Sequence, residues 1–304
     1  MSELLENGAT TLGRRCLCSA GWTAAFLLFL ALTPLKLPPW AALPALYLTA
    51  VVGACGTAGL LSCFTRTDRD WSNLLVGVCV CALLIGGANC EAVSRWVAWA
   101  STQGGAALPL PSTTLRFSLN ALLVLATNVF LVGAAVCGGE LVAKGLRAPS
   151  YLVMAAVVAA IADTFSVSVG PTSKLAGSET ALRHLALHWP ALGGGGVIPI
   201  IGVGDFLFLS IFLVGAVKFG LGQRRNLVAL SSAFAVGIAC TLLAEVFFSL
   251  RGLPALPFMC VAFLLANRSQ LRLTPKELCA VVKVSVMFAG FFAALGLAKA
   301  LHLL

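Results

Sequence analysis

Charge is scarce in this 304-residue chain, where only 10% of the residues are Asp, Glu, Lys or Arg and 60% are hydrophobic. A soluble domain is closer to a quarter charged, so the composition excludes an ordinary water-soluble protein and indicates a polytopic membrane protein. The net charge of +9 comes from Lys and Arg residues that occur in ones and twos between apolar runs. That spacing is typical of topology-setting charge and not of a nucleic-acid-binding surface. We therefore expect the lipid bilayer, and no nucleic acid, among its partners.

Histidine is almost missing as well, with three residues in the whole chain, and no HExxH or GxSxG motif occurs. These absences argue against zinc proteases and α/β-hydrolases. The eleven cysteines form no CxxC pair, and most fall within apolar runs, where Cys acts as a small hydrophobic residue. An odd number of cysteines without a regular spacing argues against a protein that disulfide bonds hold together. We expect no metal and no organic cofactor.

The apolar runs predict an all-α fold of about nine transmembrane helices, because backbone groups in lipid must be hydrogen-bonded internally. The predicted spans are 17–35, 40–64, 72–93, 115–142, 149–169, 198–220, 227–249, 254–267 and 278–302. The run 254–267 is short, and we expect it to be tilted, extended by the preceding turn or unwound at its start. Residues 1–148 would form an N-terminal group of four spans, and 149–304 a second half. The distribution of Lys and Arg favours a cytoplasmic N-terminus, although the bias is modest.

Two connections are longer than the rest. Residues 94–114 contain Trp96 and Trp99, which predict an aromatic pair at the membrane interface. Residues 170–197 end in four glycines, Gly193 to Gly196, which disfavour a helix. The β-branched run that follows, 197–201, reads as a short strand. Such a segment could pair with an unfolded substrate strand or serve only as a hinge.

Aspartate is the rarest acid, and two of the four aspartates, Asp163 and Asp205, lie inside apolar segments. A carboxylate at the bilayer centre costs about 2.5–3.5 kcal/mol on insertion scales, so an acid in this position points to a functional site. Taken alone, either residue could instead be a hydrogen-bonded packing group or a cation-transport site. Glu91, Glu140 and Glu245 are also near or within spans. We expect the first two to reach the membrane surface and Glu245 to be packed and hydrogen-bonded.

Two close carboxylates in a site of low dielectric cannot both ionise, so they share a proton. The ionised acid can then activate water while the protonated acid donates to the developing oxyanion, which is the chemistry of aspartic proteolysis. Asp205 follows two glycines in Gly202-Val203-Gly204-Asp205. Glycine there leaves room for another backbone to approach the acid.

A third motif, Pro254-Ala255-Leu256, opens the short apolar run near residue 254. An acid in one span, GxGD in the next and PAL two spans later resembles the presenilin and signal peptide peptidase family of intramembrane aspartyl proteases. Three features resemble presenilins more than signal peptide peptidases: the run from Gly202 to Ser210, the following Gly215 and the stretch 189–192 (Trp-Pro-Ala-Leu). The resemblance covers about 149–267.

The resemblance implies that Asp163 and Asp205 form a catalytic pair. It also implies that Gly202, Val203 and Gly204, together with Pro254, Ala255 and Leu256, shape the active site and help to hold substrate. The expected function is hydrolysis of peptide bonds within transmembrane segments of other proteins. The resemblance does not predict whether the protein has accessory subunits or which oligomeric state it forms.

Three features depart from the presenilin pattern. Ala162 stands where the family usually has Tyr before the first acid, only four spans precede Asp163, and the charge bias places the connection between the acids outside, as in signal peptide peptidases. A proton- or Na⁺-coupled transporter that uses the same two acids is the alternative, and a catalytically silent relative is a third. Asn267-Arg268-Ser269 fits a glycosylation sequon but adjoins a span, so we discount it.

Overall fold

The computed structural model describes residues 2–65, 70–88, 93, 95, 97, 112–168, 185–193, 196–248 and 253–300. Nine helices and two strands are defined there. The helices are α1 (Ser2–Leu32), α2 (Pro39–Phe64), α3 (Trp71–Ala88), α4 (Ser112–Gly145), α5 (Pro149–Ser168), α6 (Val203–Lys218), α7 (Gln223–Phe248), α8 (Leu256–Asn267) and α9 (Pro275–Ala300), and the strands are β1 (Ala186–Pro190) and β2 (Val197–Gly202). The fold is therefore helical, as predicted, with one small sheet between α5 and α6.

Six of the described helices are long and apolar enough to cross a membrane: α1, α2, α4, α5, α7 and α9. The protein is thus a helical membrane protein. α6 has 16 residues and α8 has 12, which at 1.5 Å per residue gives lengths of about 24 Å and 18 Å. Both are shorter than the roughly 30 Å hydrocarbon core. Strand β2 directly precedes α6, and the described residues just before Leu256 are not helical.

Several helices begin at a proline. An N–H group in the first turn has no hydrogen-bond partner within the helix, so proline, which lacks that group, loses no bond there. α2 begins at Pro39, α5 at Pro149 and α9 at Pro275. Before α9, the Thr274 N–H and hydroxyl donate to Glu277, and the Glu277 N–H donates to the Thr274 Oγ1 atom. This reciprocal capping box fixes the N-terminus of α9.

Helix α6 is the centre of the molecule. Every residue from Leu209 to Ala216 is buried, which explains why its sequence is apolar on all sides. Close contact with α4 depends on Gly139, since a Cβ at this position would collide with Ser210 of α6. At the far end of α6, Lys218 donates to the carbonyl oxygens of Ala143 and Leu146 at 3.0 and 2.7 Å. The ammonium thus caps α4, whose final carbonyls lack partners within the helix.

The two strands pair antiparallel, with Trp189 opposite Ile198 and Ala186 opposite Gly202. In the turn between them Gly193 has φ +65°, and a Cβ there would lie 2.5 Å from the Cγ atom of Leu37. Glycine is required at this position on both counts. The predicted strand after the glycine run is confirmed, and its partner is a strand of the same chain.

The inner face of β1 packs against α1. Trp189 is fully buried, and the rings of Trp22, Phe26 and Phe29 lie 5.5, 5.3 and 6.1 Å from it, all edge-on. Edge-to-face packing at these distances adds to the apolar burial. The first helix therefore supports the sheet.

Several sequence predictions are corrected. The predicted span 198–220 begins as a strand, because β-branched residues and Pro199 favour extended backbone, and the helix starts only at Val203. Glu140 does not reach the membrane surface and is fully buried, since it follows Gly138 and Gly139, where α4 is in close contact with α6. Glu245 is not packed but exposed, since it lies one turn from the end of α7 and can extend toward water.

Other predictions are on residues beyond those described, namely Glu91, Trp96, Trp99 and the first part of the long connection, 170–184. The discounted sequon is explained, because Asn267 is fully buried and its amide donates to Asn226 and to the Phe263 carbonyl.

Candidate active site

Asp163 lies five residues before the end of α5 and is half-buried. Its Oδ2 atom accepts a hydrogen bond of 3.0 Å from the backbone N–H of Leu256, and the N–H of Ala255 also interacts with the carboxylate. The first acid is thus held by the PAL motif, which is 93 residues away in the chain.

The proline spacing of the PAL motif explains this contact. Pro254 and Pro257 have no N–H group, so Ala255 and Leu256 are the two residues of that run that can donate. Ala255 is the N-cap of α8 and Leu256 its first residue. A helix N-terminus carries partial positive charge and exposed donors, so it favours an anion such as Asp163. Of the three alternatives for 254–267, the structure shows a start that is not helical before Leu256.

Asp205 occupies the third position of α6, directly after the strand β2. Its carboxylate interacts with the backbone N–H of Gly202, the N-cap residue. A carboxylate at this position reaching back to the N-cap N–H is half of a capping box, and the first turn of a helix stabilises a negative charge. The end of β2 therefore positions the second acid.

The two aspartates are close enough to interact electrostatically, although 42 positions separate them in the sequence. Close packing of α5 on α6 brings them together. A Cβ at Gly215 of α6 would lie 2.6 Å from the Leu152 Cδ2 atom of α5, so the helices approach at a distance that only glycine permits. The Asp163 carboxylate lies at the start of α8, and the Asp205 carboxylate lies at the start of α6.

The structure thus brings together five of the predicted site residues: Asp163, Asp205, Gly202, Ala255 and Leu256. Val203 is the half-buried first residue of α6, and Pro254 precedes the N-cap of α8. Gly204 is exposed, and a Cβ built on it would meet nothing within 4 Å. The space next to Asp205 on that side is therefore open.

Sequence reasoning missed two residues near the site. Cys260 is buried on α8 and lies beside Asp163 and the backbone of Ala160. Its position four residues after Leu256 would have placed it on the same helix face as the PAL motif. Its place in an apolar run predicts only a small hydrophobic residue.

The second missed residue is Asn128, which is fully buried on α4. Its amide Nδ2 donates to the His188 carbonyl at 2.6 Å, and the His188 N–H donates to its Oδ1 at 3.0 Å. The side-chain amide therefore forms hydrogen bonds with the backbone N–H and carbonyl of β1 on the side away from β2, as a neighbouring strand would. Asn128 is one of two asparagines among the 34 residues of α4, and nothing in the sequence distinguished it as the one that makes this contact.

A groove of about 480 Å³ runs along the outside of the site. It is lined by one face of α5, including Ala160, Thr164 and Phe165, by Pro257 of α8 and by Ala289 of α9. Because Ala160 and Thr164 flank Asp163 in the chain, the groove lies next to the first acid. α9 borders it through the stacking of Phe292 on Phe165, with ring centres 4.8 Å apart.

Within the described residues, no three His, Cys, Asp or Glu side chains are grouped so that they could hold a metal ion. The groups that face one another at the site are two carboxylates and backbone N–H donors. Such a set can exchange protons with water and a peptide bond.

The chain matches no protein-family model, no curated protein and no solved structure in the comparisons that were made.

Proposed function

We propose that this protein is an intramembrane aspartyl protease that uses Asp163, Asp205 and water to hydrolyse peptide bonds within transmembrane segments. The observation that carries the proposal is the meeting of three separate motifs. Asp163 and the GxGD acid interact, and the PAL backbone donates to Asp163. A transporter would need the acids but has no evident use for this backbone contact.

The lengths of α6 and α8 support a reaction at membrane depth. If all nine described helices are membrane spans, the two shortest are the ones that begin at the dyad. Strand β2 and the residues before α8 take up the remaining thickness. Non-helical backbone in a bilayer is stable only inside protein or beside a water-filled space, and that space would supply the hydrolytic water.

Strand β2 has one edge that pairs with no other described strand, and this edge supports binding of an extended substrate. β1 has β2 on one side and Asn128 on the other, whereas β2 pairs only with β1 among the described residues. A substrate helix that unwinds locally can add a strand to β2 through backbone hydrogen bonds. Since β2 leads into Asp205, such a strand would present its peptide bonds to the dyad.

In the reaction, one carboxylate takes a proton from water as the water oxygen attacks the scissile carbonyl. The other, protonated, carboxyl donates to the oxyanion, and proton return to the leaving nitrogen completes the cleavage. The N–H groups of Ala255 and Leu256 keep Asp163 oriented through these steps. The substrates are transmembrane proteins or peptides, and helix-breaking residues near the cut should favour cleavage.

The test is co-expression with a tagged single-span substrate, comparing the chain with its Asp163→Ala and Asp205→Ala variants. Each variant should lose cleavage, because neither acid can perform both proton transfers alone. Asp70→Ala is the matched control, since Asp70 is exposed in a connection between helices. It should leave cleavage unchanged.

Cleavage that survives either dyad substitution at normal protein level would refute the proposal. The rival reading, a proton- or Na⁺-coupled transporter, predicts a different result in proteoliposomes. There, an ion-driven flux would be abolished by the same two substitutions while no substrate is cut.

A further inference from the structure

Two cysteines far from the dyad lie against each other between the first two helices. Cys18 of α1 and Cys63 of α2 have their Sγ atoms 2.6 Å apart, and both side chains are half-buried. A covalent S–S bond is about 2.04 Å long, so the two sulfur atoms need to approach by only about 0.6 Å. The 45 positions between them in the chain gave no hint of this meeting.

Hydrogen bonds on both sides hold the two cysteines in register. Toward the C-terminal end of α2, the Arg15 Nε donates to the carbonyl oxygen of Cys63 at 3.1 Å. One turn deeper, the Trp22 Nε1 donates to the Thr57 Oγ1 at 3.1 Å. The thiol contact is therefore part of a built interface, in which the neighbouring contacts set the relative position of α1 and α2.

The sulfur atoms can be reached from outside. A groove of about 380 Å³ between α1 and α2 has both Cys18 and Cys63 in its lining. Glycines leave this groove open, since a Cβ on Gly21 or Gly59 would meet nothing within 4 Å. Cys18 lies one turn after Arg15, where the apolar stretch of α1 begins, and Cys63 is the last residue but one of α2. The pair therefore lies near one end of both apolar stretches.

We propose that Cys18 and Cys63 form a redox site, which a small-molecule disulfide such as oxidised glutathione converts reversibly into an interhelical disulfide. One thiolate attacks the oxidant and forms a mixed disulfide, releasing one thiol. The second thiolate displaces the second thiol and closes the Cys18–Cys63 bond. The oxidant gains two electrons, and the two protein protons end on the released thiols.

The bond would tie α1 to α2 beside the aromatic contacts that α1 makes with β1. Trp22 lies one turn from Cys18 and packs on Trp189. Oxidation therefore restricts the helix that supports the sheet. The site does not depend on the proposed protease activity, because neither cysteine touches the dyad.

The test uses the full chain purified in detergent and equilibrated with reduced and oxidised glutathione at stepped ratios. Remaining thiols are blocked with N-ethylmaleimide before digestion with trypsin. Cleavage after Arg15, Lys36 and Arg66 gives peptides 16–36 and 37–66, which stay joined if the disulfide has formed. Fragmentation then identifies the bonded cysteines. We expect the Cys18–Cys63 link in roughly tenfold excess over any other, because preoriented groups react faster.

Cys18→Ser and Cys63→Ser should each remove the linked peptide. Cys16→Ser and Cys55→Ser are the matched controls, since each lies in one of the same two peptides, and both should leave the link in place. The wild-type titration requires no variant to fold. Failure of the peptides to join under oxidising ratios, or joining mainly through Cys16 or Cys55, would overturn the proposal. Cleavage of a membrane substrate has no bearing on either outcome.

Discussion

At the scale of single residues, backbone N–H groups orient both carboxylates of the proposed dyad. Asp163 accepts from the start of α8, and Asp205 interacts with Gly202 at the end of β2. The two acids could be found from sequence, because a carboxylate in an apolar run is costly. The N–H groups that contact these acids could not be predicted from sequence. Every residue except proline has a backbone N–H, and only the tertiary structure determines which of them lies next to a carboxylate.

Asn128 provides a prediction at this scale. Asn128→Ala removes the two hydrogen bonds between the Asn128 side chain and the backbone of His188, which should cost about 1–3 kcal/mol of stability. A lower midpoint of thermal unfolding in detergent is the measurement. Because β1 positions β2, we also expect slower cleavage of a membrane substrate.

The matched control for this substitution is Asn73→Ala. Asn73 is exposed on α3, so its loss should move the unfolding midpoint very little. Equal shifts for the two variants would mean that the contact with His188 does not stabilise the sheet.

At the scale of elements, the junction of a strand with a helix positions Asp205. β2 ends at Gly202 and α6 starts at Val203, so the acid falls in a first turn that favours negative charge. The β-branched run predicted the strand, but the apolar stretch also predicted a span from 198. Hydropathy cannot distinguish a buried strand from the start of a buried helix, which is why the boundary was misplaced.

The packing of α5 on α6 gives the second prediction. Gly215→Leu should force the helices apart, because even the first added carbon would lie 2.6 Å from Leu152. Overpacking of this kind costs about 1–3 kcal/mol. Displacing the two acids by about 1 Å could lower cleavage by about 100-fold, measured as the initial rate on a tagged single-span substrate.

Gly290→Leu is the comparison for that variant. Gly290 is exposed on α9, where a Cβ would meet nothing within 4 Å, and a leucine there should be tolerated by lipid. An unchanged rate in Gly215→Leu would show that the α5–α6 contact does not determine the geometry of the dyad.

At the scale of the whole molecule, α9 has the smallest buried share of the six long apolar helices, with 6% of its apolar window inside the protein. Its stacked contact with α5 lies beside the groove that flanks Asp163. A weakly packed helix next to a proposed active site offers a lateral route from the bilayer. We expect substrate helices to approach through this groove.

Filling the groove tests that route. Ala289→Trp should lower cleavage without lowering thermal stability, because Ala289 is an exposed residue in the groove lining. Ala294→Trp is its control, since Ala294 is exposed but is not part of that lining. If both variants cleave at the wild-type rate, substrates reach the dyad by another path.

The sequence by itself determined that this is a helical membrane protein with two misplaced acids, because hydropathy and the cost of buried charge are local properties of the chain. It also predicted the strand before Asp205, and it gave an unwound start near Pro254 as one of three alternatives for the run 254–267. Only the tertiary structure decided which groups meet: the PAL backbone with Asp163, Asn128 with His188, and Cys18 with Cys63. These contacts join positions 93, 60 and 45 apart, and helix packing sets such distances.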